Sequence, residues 1–216
     1  METAKRERIP DDGADHFALV AGSVCLDFVN TVGGLRGAQT EERLTSYADL
    51  TRWCRQAGVL TQDVTDGLLR EAERRPDEAR AVLIRALALR EALYGILLAG
   101  LDGARCSEAD LAILNGELAG GLARTALAQT SAGFTWRWNG GERRLDRMLG
   151  DIARSAADLL LSAQTSALRQ CASDTCGWLF LDTTKNHSRR WCEMRACGNR
   201  DKVRRHRARK RPERSA

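Results

Sequence analysis

Aromatic residues make up only 5% of this 216-residue chain, and proline occurs three times. Long apolar runs are missing as well: none approaches the eighteen or more residues of a membrane-spanning helix, so no membrane partner is expected. No nucleophile elbow, phosphate-binding loop, HExxH run or paired-carboxylate motif occurs, which argues against an enzyme. No secretory signal segment is evident, and seven cysteines is an odd number, so an extracellular disulfide scaffold is not expected. The expected compartment is the cytoplasm.

What the chain has is charge, distributed unevenly. Residues 185–216 hold thirteen Lys or Arg against three acids, a balance of +10, which leaves the first 184 residues at −5. An acidic body with a basic tail points to a polyanion at the tail, most commonly nucleic acid.

The body reads as mainly helical. Residues 1–15 are polar and charged, a disordered lead-in. Phe17–Val20 suggests a short strand, the segment 24–32 a helix, and Gly33–Gly37 a loop. Asp27 and Asn30 stand three apart within the apolar helix, where they either line a ligand pocket or satisfy a cap or core hydrogen bond. Ser46-Tyr-Ala-Asp49 is a capping box for a helix to Gln56, with Leu50 and Trp53 on its buried face. Thr61 opens a helix to about Arg74, and Pro76 sits in the first turn of the next. That helix carries Val82, Ala86, Leu89, Leu93 and Leu97 at helical spacing and is the expected hydrophobic centre. A further helix runs from Ser107 toward Leu118, ended by Gly116, Gly120 and Gly121. Phe134-Thr-Trp-Arg-Trp138 alternates at period two and predicts a half-buried strand paired with residues 122–129. A last helix, Arg143 to about Arg169, is expected to run straight into Cys171.

The cysteines carry the chemistry. Cys171 and Cys176 form one C-x4-C pair, Cys192 and Cys197 another, with fifteen residues between. Each pair can close a loop on one ion while the intervening segment folds back, as a closed tetrahedral four-cysteine zinc site requires. Two disulfides or inert packing are the competing readings, and His187 or His206 could replace a cysteine. Residues 178–182 read as a strand, 183–188 as a polar turn and 189–191 as the returning strand, a hairpin with no core of its own. One structural zinc would hold it together, contributing on the order of 10–16 kcal/mol of apparent binding energy. Cys25, Cys54 and Cys106 are scattered and read as ordinary thiols.

The run Cys176-Gly-Trp-Leu-Phe-Leu-Asp182, with Arg189-Arg-Trp-Cys-Glu-Met194 and Cys197-Gly-Asn-Arg200, resembles the CGNR-type zinc finger. Upstream, Leu26-Asp-Phe-Val-Asn-Thr31, Tyr47-Ala-Asp-Leu50, Trp53 and Leu89-Arg-Glu-Ala-Leu93 resemble the ABATE domain, whose family is described as stress-induced transcription regulators. The resemblance implies a helical domain followed by a C-terminal zinc finger that binds DNA.

Together these readings predict a mainly α protein: a lead-in (1–15), a multihelical ABATE-like domain with a small β-hairpin (16–169), a four-cysteine finger of hairpin plus basic helix (170–211) and a disordered tail (212–216). Asn199 would cap the basic helix, on which Arg200, Lys202, Arg204, Arg205, Arg207 and Arg209 repel one another at three- and four-residue spacing. Phosphates would remove that repulsion, so these six are the expected contacts to duplex DNA, with Arg189 or Arg190 facing the same groove. RNA stacked on Trp178, Phe180 and Trp191 is one alternative. A zinc-stapled protein-interaction module without nucleic acid is another. A homodimer and a small-molecule effector of the N-terminal domain are compatible with the sequence; the DNA target and the sign of regulation are not encoded legibly.

Overall fold

The computed structural model describes residues 17–38, 40–141 and 143–210, with the side chains of Arg205 and of residues 208–210 left aside. The lead-in at 1–15 and the tail at 212–216 lie outside the described residues.

Among the described residues, seven α-helices and three two-stranded hairpins follow in order. Helix α1 (Val24–Val29) leads into a hairpin of β1 (Val32–Gly34) and β2 (Thr40–Glu42), where a plain loop was expected. Helix α2 (Tyr47–Gln56) begins at the capping box: the Ser46 hydroxyl accepts from the Asp49 amide, and the Asp49 carboxylate accepts from the Ser46 amide. Helix α3 (Gln62–Arg74) is capped by Thr61, and α4 (Pro76–Leu101) carries Pro76 in its first turn. All five predicted core residues of α4 are buried.

The expected strand at Phe17–Val20 does not form; no ladder pairs with it. Phe17 is held instead by one side chain, since the Gln56 amide accepts from its N–H at 2.9 Å and donates to its carbonyl at 2.6 Å.

Helix α5 (Glu108–Leu122) runs through the glycines that were expected to end it. The small size of one of them is used laterally: a Cβ on Gly121 would lie 2.5 Å from the Cα of Gly150 in α6 (Arg147–Leu161), so the two backbones meet where neither residue has a side chain. Strands β3 (Thr125–Thr130) and β4 (Gly133–Trp138) pair as predicted, with Leu127 opposite Trp136. The face is not half-buried, however: Phe134 is 70% exposed and Leu127 60%. The alternation defined two faces but could not say whether anything covers them.

Helix α6 also stops earlier than expected, at Leu161. Ser162 turns the chain by donating to the Leu159 carbonyl and accepting from the Gln164 amide, starting a 3-10 turn (Ala163–Ala167). Strand β5 (Leu168–Gln170) follows and pairs with β6 (Leu179–Leu181). Between Cys171 and Cys197 the expected partner of β6, residues 189–191, makes no ladder; the strand segment folds back on the residues preceding Cys171 instead.

One contiguous core joins body and finger, holding Leu26, Phe28, Trp53, Leu89, Leu93 and Ile152 together with Leu179, Phe180 and Leu181. The hairpin that does form takes its core from the body. Main-chain bonds reinforce the join: Leu181 N–H donates to Ala21 O at 2.9 Å and Gly177 N–H to Gly34 O at 2.9 Å. The Trp178 indole N–H donates to Val32 O at 2.8 Å.

Candidate metal centre and basic helix

Cys171 and Cys176 lie on the turn between β5 and β6, Cys192 after the loop that follows β6, and Cys197 in a single π-turn (Met194–Gly198) leading into α7 (Asn199–Lys210). The four Sγ atoms lie within 4.8 Å of one another, all buried. Cys176 and Cys192 sulfurs are 3.8 Å apart, Cys192 and Cys197 sulfurs 3.5 Å. Sulfurs bound tetrahedrally at about 2.3 Å from a zinc ion sit about 3.8 Å from one another, so the cluster fits one ion. A disulfide needs about 2.05 Å, and all seven cysteines are free thiols. Cys176, Cys192 and Cys197 border a cleft of about 760 Å³ beside the β1–β2 hairpin, which gives an ion a way in.

The sulfurs divide their protons unequally. Hydrogen bonds from Cys176 and Cys192 hold the Cys171 thiol far below its ordinary value. The bonds Cys192 makes to Cys171 and Cys176 push its own thiol far up. Four thiols this close cannot all ionise without a cation, and a divalent ion with four thiolates leaves a formal charge of about −2. Donors stand ready for that charge: the Cys192 N–H reaches the Cys171 sulfur at 3.4 Å, and the Arg200 guanidinium reaches the Cys197 sulfur at 3.1 Å. The same contact raises the Arg200 pKa. Neither alternative histidine joins the cluster: His187 Nδ1 lies 3.2 Å from Asp182 O, and His206 is exposed on α7.

The loop after β6 is ordered by a carboxylate rather than by a returning strand. Asp182, buried, accepts from the Thr184 hydroxyl at 2.6 Å, the Thr184 N–H at 3.0 Å and the Arg189 N–H at 2.9 Å. Those bonds, the Thr184 hydroxyl foremost, hold its carboxyl below the ordinary range.

The structure separates the predicted nucleic-acid residues. Arg189 faces inward: its guanidinium lies over the Phe180 ring at 4.3 Å and donates to the carbonyls of Val20 (2.9 Å), Trp191 (3.1 Å), Leu181 (3.4 Å) and Cys192. Arg190 is exposed, over the Trp191 ring at 5.2 Å. Arg204 pairs with Asp174 and, at 2.9 Å, with Asp201, tying α7 to the first cysteine turn. Arg200, Lys202 and Arg207 are exposed. Arg205 and Arg209 lie on α7 by backbone, but their side chains are outside the described set. Asn199 is already helical (φ −69°, ψ −39°) and its amide donates to Arg195 O at 3.1 Å, so it does not cap: the π-turn continues directly into the helix.

Arg195 was not predicted. It lines a groove of about 680 Å³ along α7 with Asn199, Arg200, Val203 and Arg207. Its place two residues before Cys197, opposite the start of a basic helix, was the available signal.

Asp27 and Asn30 are both buried and bonded to main chain. Asp27 Oδ1 accepts from Ala21 N–H at 2.9 Å. Asn30 pairs with Leu179 twice, donating to its carbonyl at 2.8 Å and accepting from its N–H at 3.0 Å. The core hydrogen-bond reading, rather than the pocket, describes these atoms. Cys25 and Cys54 are buried thiols raised by burial.

A helical body welded to a four-cysteine finger defines a zinc-finger protein with no membrane-crossing helix among the described residues. The family profile described as "Putative stress-induced transcription regulator", ABATE, matches residues 22–163, and the CGNR zinc finger profile matches residues 167–210. The first match alone spans more than half of the chain, which therefore belongs to the ABATE family. No curated protein matches it. Both families are of regulatory or zinc-finger type rather than enzymatic.

Proposed function

We propose that the chain is a zinc-dependent transcriptional regulator that binds duplex DNA through α7, with the body, residues 16–169, receiving a ligand or a second copy. The observation that carries this reading is the groove along α7. Asn199, Arg200, Val203 and Arg207 recur at helical spacing on one side of a helix whose first turn is fixed by the zinc ligand Cys197. Asn, Arg and Val are side chains suited to adenine, guanine and the thymine methyl in a major groove, while the exposed Arg190, Arg195 and Lys202 supply the phosphate contacts of this reading.

RNA is the weaker reading because two of its three stacking surfaces are spent: Phe180 is fully buried, and Trp178 is 9% exposed with its indole N–H bonded to Val32, which leaves the part-buried Trp191 under Arg190. Arg189 is omitted from the interface, since its donors are used by carbonyls, and Arg204 acts by positioning the helix.

Titration of random duplex DNA by fluorescence anisotropy across salt concentration tests the reading. With three phosphate contacts, from Arg190, Arg195 and Lys202, log K falls against log salt with a slope of about −3, and replacing Arg190 and Lys202 by Ala reduces the slope by about two. Zinc content stays unchanged. Undetectable affinity at low salt, or a slope indifferent to the substitutions, leaves the protein-interaction module; preference for single-stranded RNA in competition restores the RNA reading.

A further inference from the structure

Between the β3–β4 hairpin and α6 lies an open cavity of about 1110 Å³, a little above the usual range for small-molecule sites. Its floor is a polar stripe of α6, with Arg147, Asp151, Arg154 and Asp158 spaced three or four residues apart. Such a stripe normally faces water. Here Trp136 and Trp138 stand over it, with the Arg154 guanidinium 5.2 Å from the Trp136 ring and that of Arg147 5.4 Å from the Trp138 ring. The Trp138 indole is fixed by donating to Gly141 O at 2.9 Å, whereas Trp136 remains 48% exposed. At the finger end the lining includes Leu181 and Arg189, and Arg189 is already committed to carbonyls.

The charges on the floor alternate, plus, minus, plus, minus, about 4.5–6 Å apart along the helix axis. A simple anion would meet Asp151 and Asp158, and a simple cation would meet Arg147 and Arg154; either leaves a like charge opposed in a partly desolvated space. A zwitterion meets both signs. It can insert into the Asp151–Arg154 pair, now 2.8 Å, giving its carboxylate to the arginine and its ammonium to the aspartate. The indoles supply a flat apolar wall suited to a ring.

We propose that this cavity is a binding site for a zwitterion bearing an aromatic group, the chemical class of the free aromatic α-amino acids. The inference deepens the ligand-receiving part of the proposed function and rests on that part alone, not on DNA binding by α7.

Isothermal titration of the full-length, zinc-loaded chain, without DNA, tests it with four probes: L-phenylalanine, phenethylamine (no carboxylate), 3-phenylpropionate (no ammonium) and glycine (no ring). L-phenylalanine binds saturably, and each of the others binds at least about tenfold more weakly, the loss expected for one charge-assisted or ring contact. Arg154→Gln abolishes the preference for L-phenylalanine over phenethylamine. Trp136→Ala, at a half-exposed ring, weakens L-phenylalanine by about tenfold and serves where Arg154→Gln fails to fold. No binding of L-phenylalanine up to about 10 mM, or any analogue matching it, overturns the site. Because the assay contains no DNA, its failure leaves the salt-slope result untouched, and the converse holds.

Discussion

Two hairpins of this molecule have similar raw material and opposite fates. Strand β6, Leu-Phe-Leu, is 0–3% exposed, while β4, with Phe134 and Trp136, stands largely in solvent. Neither hairpin is stable alone, and the difference lies in what meets it. Strand β6 is received by the Asn30 side chain, which bonds both polar groups of Leu179, and by the Ala21 carbonyl, while Trp178 just before it is held by the Val32 carbonyl. Strand β4 meets its partner β3, the Gly141 carbonyl and two arginines from α6. Burial is thus decided by reception, not by the apolar content of the strand.

Removing the ion has the largest expected effect. Cys192→Ser, or chelation, forfeits on the order of 10–16 kcal/mol of apparent metal-binding energy, and the finger loses its order. Near-ultraviolet dichroism, to which Trp178 contributes, should collapse together with zinc content. One zinc per chain retained in Cys192→Ser with His187→Ala and His206→Ala added would break the assignment.

Next comes the strand itself. Phe180→Ala empties a fully buried site within the common core and should cost about 3–5 kcal/mol in urea unfolding. The same truncation at Phe134, 70% exposed, should change stability by no more than about 0.5 kcal/mol. Equal effects at the two positions would dissolve the comparison.

How far the sequence disclosed all this depended on distance along the chain. Most signals confined to a few residues were read well, the Asn199 cap excepted: the Ser46–Asp49 box, the Thr61 cap, Pro76 in its first turn and the C-x4-C spacing each ended up where expected. Signals needing a remote partner were not. Residues 163–170 continued the composition of α6 and looked helical, so the true mate of β6 went unseen. Arg189 and Arg190 are neighbours of one residue type, and only the Phe180 ring and the Val20 carbonyl decide which of them turns inward. Gly121 of α5 announced an end because its use, the approach to Gly150, lies on another helix.

The bond between Asn30 and Leu179 joins residues 149 apart, which turns it into a matter of time. At synthesis rates of about 5–20 residues per second, Asn30 leaves the ribosome roughly seven to thirty seconds before the strand that pairs with it. For that interval its amide bonds to water. The segment that covers α1 is made 149 residues after Asn30, so a chain arrested before Leu179 leaves α1 uncovered.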